Sequence, residues 1–186
     1  MSTDHHDEIE KAAKIADRLE RALFIVAVWT EALKDRDIRP IIVGGTAVEF
    51  YSFGAYMTYD IDLVCSNRRE ALDQLEDLGF KRSASLRHWY HETLSLVVEI
   101  PDDTLAGSLD RVTEVEIDGL TAYVIGIEDL VLDRLRAYVH WQSESDGEWV
   151  TRLLTLHGED VDWEYLSEAA EKEALDGHLR KLGFGR

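Results

Sequence analysis

Three β-branched residues, Ile41-Ile42-Val43, run without a spacer into Gly44-Gly45 and then into Thr46-Ala47-Val48. The first three read as a short buried strand. The glycines turn the chain, and residues 46 to 53 predict a short helix closed by Gly54. Residues 59 to 65 predict the next strand. A strand that passes through Gly-Gly into a helix, with another strand close behind, points to a mixed α/β core.

The rest of the chain fits around that unit. Residues 7 to 35 carry apolar side chains at helical spacing and predict one long helix, ended by Asp35, Asp37 and Pro40. A helix is expected over 68 to 78, with Ser66 or Asn67 as its cap and Gly79 at its end. Residues 89 to 91 and 94 to 100 predict strands, the second ended by Pro101. Asp118-Gly119 between two alternating runs, 112 to 117 and 120 to 125, is a hairpin signal. From Ile127 the period becomes helical: 127 to 142, 146 to 156, 162 to 174 and a short helix before Gly183. The expected layout is an N-terminal helix (1–37), an α/β core (38–125) and a C-terminal helical segment (126–186). A chain of 186 residues is long enough to bury such a core without staples.

Charge bounds the partners. The formal net charge is −18, with fourteen Arg against six Lys. Such a field opposes general attraction to phosphate backbones. An acidic excess with few Lys also fits a salt-loving source, where a Debye length of ~3 Å in molar salt would screen the repulsion. An ordinary acidic protein is the plainer alternative. Cys65 is the single cysteine, which excludes an internal disulfide and suits a reducing cytoplasm. Packing in an apolar strand is its expected role. No apolar run approaches the ~20 residues of a membrane span. Residues 1 to 10 are polar and acidic, unlike a secretory signal.

The chemistry concentrates at Asp60-Ile61-Asp62. Residues two apart on a strand point the same way, so both carboxylates share a face while Ile61 and Leu63 face the core. Adjacent carboxylates repel, and a divalent cation relieves that by taking their oxygens as ligands. Taken alone, Asp-x-Asp is more often a solvated acidic pair, and Gly-Gly a plain turn. Together they differ. Gly44, Gly45 and the helix start present N–H groups to phosphate oxygens, with the Thr46 hydroxyl as a further donor. A phosphate cradle beside a metal pair supplies what nucleotidyl transfer requires, positioning and charge neutralisation.

Gly44-Gly45-Thr46-Ala47, with Thr58 two residues before Asp60-Ile61-Asp62, resembles the signature of the polymerase-β-like nucleotidyltransferase superfamily. The nearer resemblance is to its small prokaryotic branch of AbiEii-type toxin nucleotidyltransferases and their uncharacterised relatives. Glu128-Asp129-Leu130 and Asp133-Arg134-Leu135 resemble the first helix after the core in that branch. The resemblance implies a small mixed sheet flanked by helices, and Mg²⁺ or Mn²⁺ held by Asp60, Asp62 and a third carboxylate on a neighbouring strand. Glu99, inside the apolar run 96 to 100, is the candidate, and Glu114 and Glu116 are its competitors on an expected solvated hairpin face. Gly44, Gly45 and Thr46 would hold the nucleotide. The implied reaction moves a nucleoside monophosphate from a nucleoside triphosphate to an acceptor hydroxyl on RNA such as tRNA, on a protein or on a small molecule. A toxin role with a cognate antitoxin is implied as well. Relatives often carry Arg where this chain has Tyr56, which leaves open a catalytically inactive nucleotide-binding or antitoxin-like protein. A nuclease using the same acids would not need the Gly-Gly cradle.

Other residues receive structural readings. Asp129, Asp133, Arg134 and Arg136 read as salt-bridge partners on one helix. His88 and His91 lack partners at a zinc-ligand spacing. Trp89, Trp141, Trp149 and Trp163 read as packing residues.

Overall fold

Asp17 divides what the periodicity presents as one N-terminal helix. Its carboxylate accepts the Glu20 N–H at 2.8 Å, which caps a new helix, and Arg21 Nη1 donates to the Ile15 carbonyl at 2.8 Å. The long helix expected over 7 to 35 is therefore two, α1 (Thr3–Ala12) and α2 (Arg18–Leu33). The apolar pattern continues across the break because both pieces bury their stripe in the same core, as Ile9, Ala12 and Phe24 do.

The structure is a computed structural model that describes residues 3–83 and 87–184. After α2 come β1 (Ile41–Ile42), α3 (Gly44–Tyr51), β2 (Asp60–Val64), α4 (Arg68–Asp77), β3 (Lys81–Arg82), β4 (His88–His91) and β5 (Leu96–Asp102). The hairpin β6 (Thr113–Ile117) and β7 (Leu120–Val124) follows, and then helices α5 (Ile127–His140), α6 (Glu144–His157), α7 (Trp163–Lys172) and α8 (Asp176–Lys181). Two short 3₁₀ turns lie at Lys34–Arg36 and Leu109–Arg111. The fold is mixed α/β. Among the described residues, seven strands form one sheet in the order β3-β4-β5-β2-β1-β7-β6.

The sheet sets the functional geometry through register. β2 runs parallel to β5, with Asp60 opposite Val97 and Asp62 opposite Glu99, and β4 runs antiparallel to β5, with His88 opposite Glu99. β1 pairs antiparallel with β2 and parallel with β7. On one face Ile61, Leu63, Val98, Ile100 and Trp89 are buried in the core. The other face carries Asp60, Asp62, Val97, Glu99 and His88, all partly exposed. The period-2 rule that places side chains on alternate faces thus sorts the apolar residues inward and the acids outward.

The strand expected to stop at Pro101 extends through it to Asp102. Asn67 takes the cap position of α4 in a left-handed conformation, and its amide bonds the Glu70 carboxylate at 2.6 Å instead of a backbone N–H. Trp89 is buried as expected, whereas Trp141 lies just past the last turn of α5 and is 82% exposed. Cys65 is fully buried, and burial pushes its thiol up to about 12, which suits packing rather than nucleophilic chemistry.

Candidate active site

Gly44 begins α3 with φ +58°, in the left-handed region. It also has no room for a side chain, because a Cβ there would stand 2.4 Å from Asp62 Oδ2. Both facts come from one arrangement. The chain turns left-handed after β1 so that the start of α3 lies directly against the Asp62 carboxylate, where the Gly45 N–H favours its ionised form. The Val43 N–H donates to the Asp62 carbonyl at 2.9 Å and fixes the other side of the turn. Gly45 is crowded too, with Thr58 and Tyr56 atoms 3.1–3.2 Å from where its Cβ would be.

Two threonines hold Asp60. The Thr58 hydroxyl donates to Asp60 Oδ1 at 2.8 Å, and the Thr46 hydroxyl donates to the Asp60 carbonyl at 2.9 Å. Thr46 is 0% exposed. Its side chain is therefore unavailable to a phosphate, contrary to the sequence-based expectation. A threonine one residue after Gly-Gly looks like a ligand donor in a linear reading, but α3 turns it inward against β2. Gly44 and Gly45 stand where that reading put them, at the start of a helix beside the two aspartates.

Glu99 lies on the same face as Asp60 and Asp62, one strand away. Ligand atoms of Asp60, His88 and Glu99 all fall within 4.8 Å of one another. Glu99 Oε1 pairs with Arg87 at 2.7 Å, and Oε2 lies 3.1 Å from His88 Nε2. The competing acids Glu114 and Glu116 are exposed on β6, at the sheet edge beyond β1 and β7. They are separated from the aspartates by two intervening strands.

The electrostatics favour a cation. Burial pushes the Asp62 carboxyl above its ordinary range, and the negative charges of Asp60 and Glu99 push it further. The Gly45 N–H and Arg134 act in the opposite direction without cancelling the rise. Carboxylates crowded on a partly buried face, with one facing backbone N–H groups, form an oxygen donor set suited to a hard divalent cation.

On the helix after the core, Asp133, Arg134 and Arg136 make ion pairs as expected, while Asp129 does not. Arg134 bonds Asp133 at 2.6 Å and Asp146 at 3.0 Å, while Arg136 bonds Glu173 at 2.7 Å through two nitrogens. Asp129 is buried and accepts the Ser108 N–H and the Tyr165 hydroxyl, both at 2.8 Å, so it joins a loop and α7 to α5. Tyr56 packs edge-on against Trp149, with ring centroids 5.1 Å apart.

Comparison with known proteins gives these features a family. Residues 21–181 match the family described as "Nucleotidyltransferase of unknown function (DUF6036)". The chain belongs to this nucleotidyltransferase family. Solved structures share the fold. An antigenic nucleotidyltransferase-like protein from Paracoccidioides brasiliensis superposes with a TM-score of 0.56 at 16% identity, over 90% of this chain and 92% of that one. The antibiotic-resistance factor ANT(2'')-Ia in solution gives a TM-score of 0.50 at 17% identity, over 86% of this chain and 90% of that one. The same enzyme in complex with adenylyl-2''-tobramycin gives 0.51 at 18% identity, over 86% and 97%. No curated protein matches the sequence.

His88 is a candidate site residue that the sequence reading passes over. It was set aside with His91 for want of a zinc spacing along the chain. The two lie on opposite faces of β4. His91 is buried against the Phe80 ring and its Nδ1 accepts the Leu94 N–H, whereas His88 faces the acids. Strand parity separates them, and parity becomes readable only once β4 is registered on β5.

Proposed function

We propose that this nucleotidyltransferase uses Mg²⁺ or Mn²⁺ and transfers a nucleoside monophosphate from a nucleoside triphosphate to an acceptor hydroxyl on RNA, on a protein or on a small molecule. The observation that carries the reading is the convergence of Asp60 and Glu99 on one sheet face, beside an Asp62 tied to the Gly-Gly turn. Asp60 and Asp62 would hold two cations and Glu99 would complete the second position; the ions would neutralise triphosphate charge and make the acceptor hydroxyl more acidic. Gly44 and Gly45 would present N–H groups and the positive end of α3 to the phosphates. Thr46 and Thr58 position Asp60, so its carboxylate is oriented before the ligand arrives.

In the transfer, the acceptor oxygen attacks the α-phosphorus. The bond from that phosphorus to the bridging oxygen of pyrophosphate breaks, and pyrophosphate leaves with the electron pair. Glu99 takes the hydroxyl proton. In-line displacement of this kind depends chiefly on positioning and electrostatics, which matches a site whose described residues are acids and backbone donors.

Tyr56 favours a second reading, an inactive nucleotide-binding or antitoxin-like protein, because it stands where relatives often carry Arg. Against that, Arg134 on α5 brings a cation whose field acts on Asp62. The toxin role, a cognate antitoxin and a cytoplasmic setting belong to the same proposal on the strength of the Gly44–Ala47 and Thr58–Asp62 motifs and the lone, buried Cys65. Among the described residues no helix is long and apolar enough to cross a membrane.

The test combines labelled nucleoside triphosphates, Mg²⁺ or Mn²⁺, and total RNA or protein extract of the source organism. Wild type should label an acceptor. Glu99→Gln should bind triphosphate with little change and transfer nothing, and Asp60→Asn or Asp62→Asn should lose metal–triphosphate binding. Unchanged triphosphate affinity in both Asp variants would reject the site. Binding without transfer in wild type would establish the inactive reading.

A further inference from the structure

We propose that His88 is a nitrogen ligand for the cation on the Glu99 side of this site, and that it biases that position toward a first-row transition dication over Mg²⁺. The inference rests on the nucleotidyltransferase reading above, but it concerns which ion the chain selects.

Three observations support it. The register of β4 on β5 places His88 directly opposite Glu99, on the face that carries Asp60 and Asp62. His88 Nε2 is 3.1 Å from Glu99 Oε2, and ligand atoms of His88, Glu99 and Asp60 lie within 4.8 Å of one another. Metal bonds of about 2.1 Å put neighbouring ligand atoms about 3 Å apart and opposite ones about 4 Å apart. His88 and Glu99 already stand at a neighbouring-ligand distance, and the Asp60 oxygen would have to close by up to about 2 Å for all three donors to share an ion. Lastly, His88 and Asp60 lie together on the wall of an open cleft of about 500 Å³, with Met57, Thr58, Tyr59 and Val97. An ion held there would be open to water or an acceptor.

The division of labour within the site supports the same assignment. Asp62 is engaged by the Gly45 N–H at the glycine turn, while Asp60 is the aspartate that reaches His88 and Glu99. A cation near Asp62 would see oxygen donors, a set suited to Mg²⁺. One near His88 would see two carboxylates and an imidazole. Imidazole adds affinity for transition dications, whereas Mg²⁺ prefers oxygen and water. Arg87 also pairs with Glu99, but its side chain is 71% exposed and water can solvate it when a cation takes the carboxylate.

Electron paramagnetic resonance of the full chain with Mn²⁺ and a non-hydrolysable triphosphate tests the idea without relying on turnover. Spin-echo modulation should show directly coordinated nitrogen in wild type and lose it in His88→Gln. Mn²⁺ affinity should fall about tenfold or more in that variant, while Mg²⁺ affinity, measured by competition, changes less than about twofold. The wild-type spectrum carries the test even if the variant folds poorly. Mn²⁺ bound through oxygens alone, with binding dependent on Asp60, would overturn the His88 assignment and leave the metal site standing. Failure of wild type to bind Mn²⁺ at all would overturn both.

Discussion

Gly44→Ala should be among the most damaging one-carbon changes in this protein, and its cost divides into two separable parts. The first is conformational. Gly44 sits at φ +58°, where an L-residue is disfavoured by about 1–2 kcal/mol. The second is steric. The new methyl would lie 2.4 Å from Asp62 Oδ2 and 3.0 Å from its Cβ and Cγ, and overpacking of this kind costs about 1–3 kcal/mol. The total expected loss is about 2–5 kcal/mol, a fall in melting temperature of at least about 4 °C for a chain of this size. Urea unfolding followed by tryptophan fluorescence, with Gly44→Ala made in wild type and in Asp62→Ala, separates the parts. Asp62→Ala removes the 2.4 Å contact with Oδ2 but keeps the Cβ at 3.0 Å and the conformational cost, so there the glycine substitution should cost clearly less, toward about 1–2 kcal/mol. Equal penalties in the two backgrounds would refute the collision, and a penalty below about 0.5 kcal/mol in wild type would refute the whole account of Gly44.

Two further outcomes follow from the charges. Burial and then Asp60 raise the Asp62 pKa in the folded protein, so Asp62 contributes most stability below its ordinary value of 3.8 and loses that contribution as pH rises through the folded value. Metal-free Asp62→Asn should therefore be more stable than wild type at pH 7, with the gap narrowing toward pH 4 in urea titrations; a gap that widens on acidification would contradict the sign. The net charge of −18 predicts a melting temperature that climbs steeply from dilute to molar KCl if the composition reflects a salt-loving source, and a salt-independent midpoint would remove that reading.

The elements that the sequence made legible are those with a local cause. The Asp118-Gly119 hairpin, the helical run from Ile127 and the strand-glycine-helix unit at 41 to 51 each carry their own turn chemistry and period, and each is found. The break at Asp17 also had a local signal, Asp17 followed three residues later by Glu20, but the continuous apolar stripe on both sides hid it. Glu99 could be proposed because an ionised side chain in an apolar strand needs a reason. The duties of Thr46 and His88 could not be read in the same way. Whether a hydroxyl points to a ligand or to a carbonyl fourteen residues away, and whether a histidine faces acids or a phenylalanine, depends on sheet register, which no window of the sequence contains.

Register also explains why the glycine turn and the acid pair occur together. With Asp60 and Asp62 on the open face of β2, antiparallel pairing of β1 with β2 brings the end of β1 alongside Asp62. Any residue with a side chain at position 44 would collide with that carboxylate, so the same register that places the acid requires the glycine. The glycine in turn lets the first N–H groups of α3 approach Asp62, and that of Gly45 favours its ionised form. That donor lowers the cost of holding Asp62 ionised but does not remove the repulsion from Asp60 and Glu99. The fold therefore assembles its carboxylates at an electrostatic cost that its own donors offset only in part. A cation is what would offset the remainder, and it would do so where the start of α3 already lies against the Asp62 carboxylate.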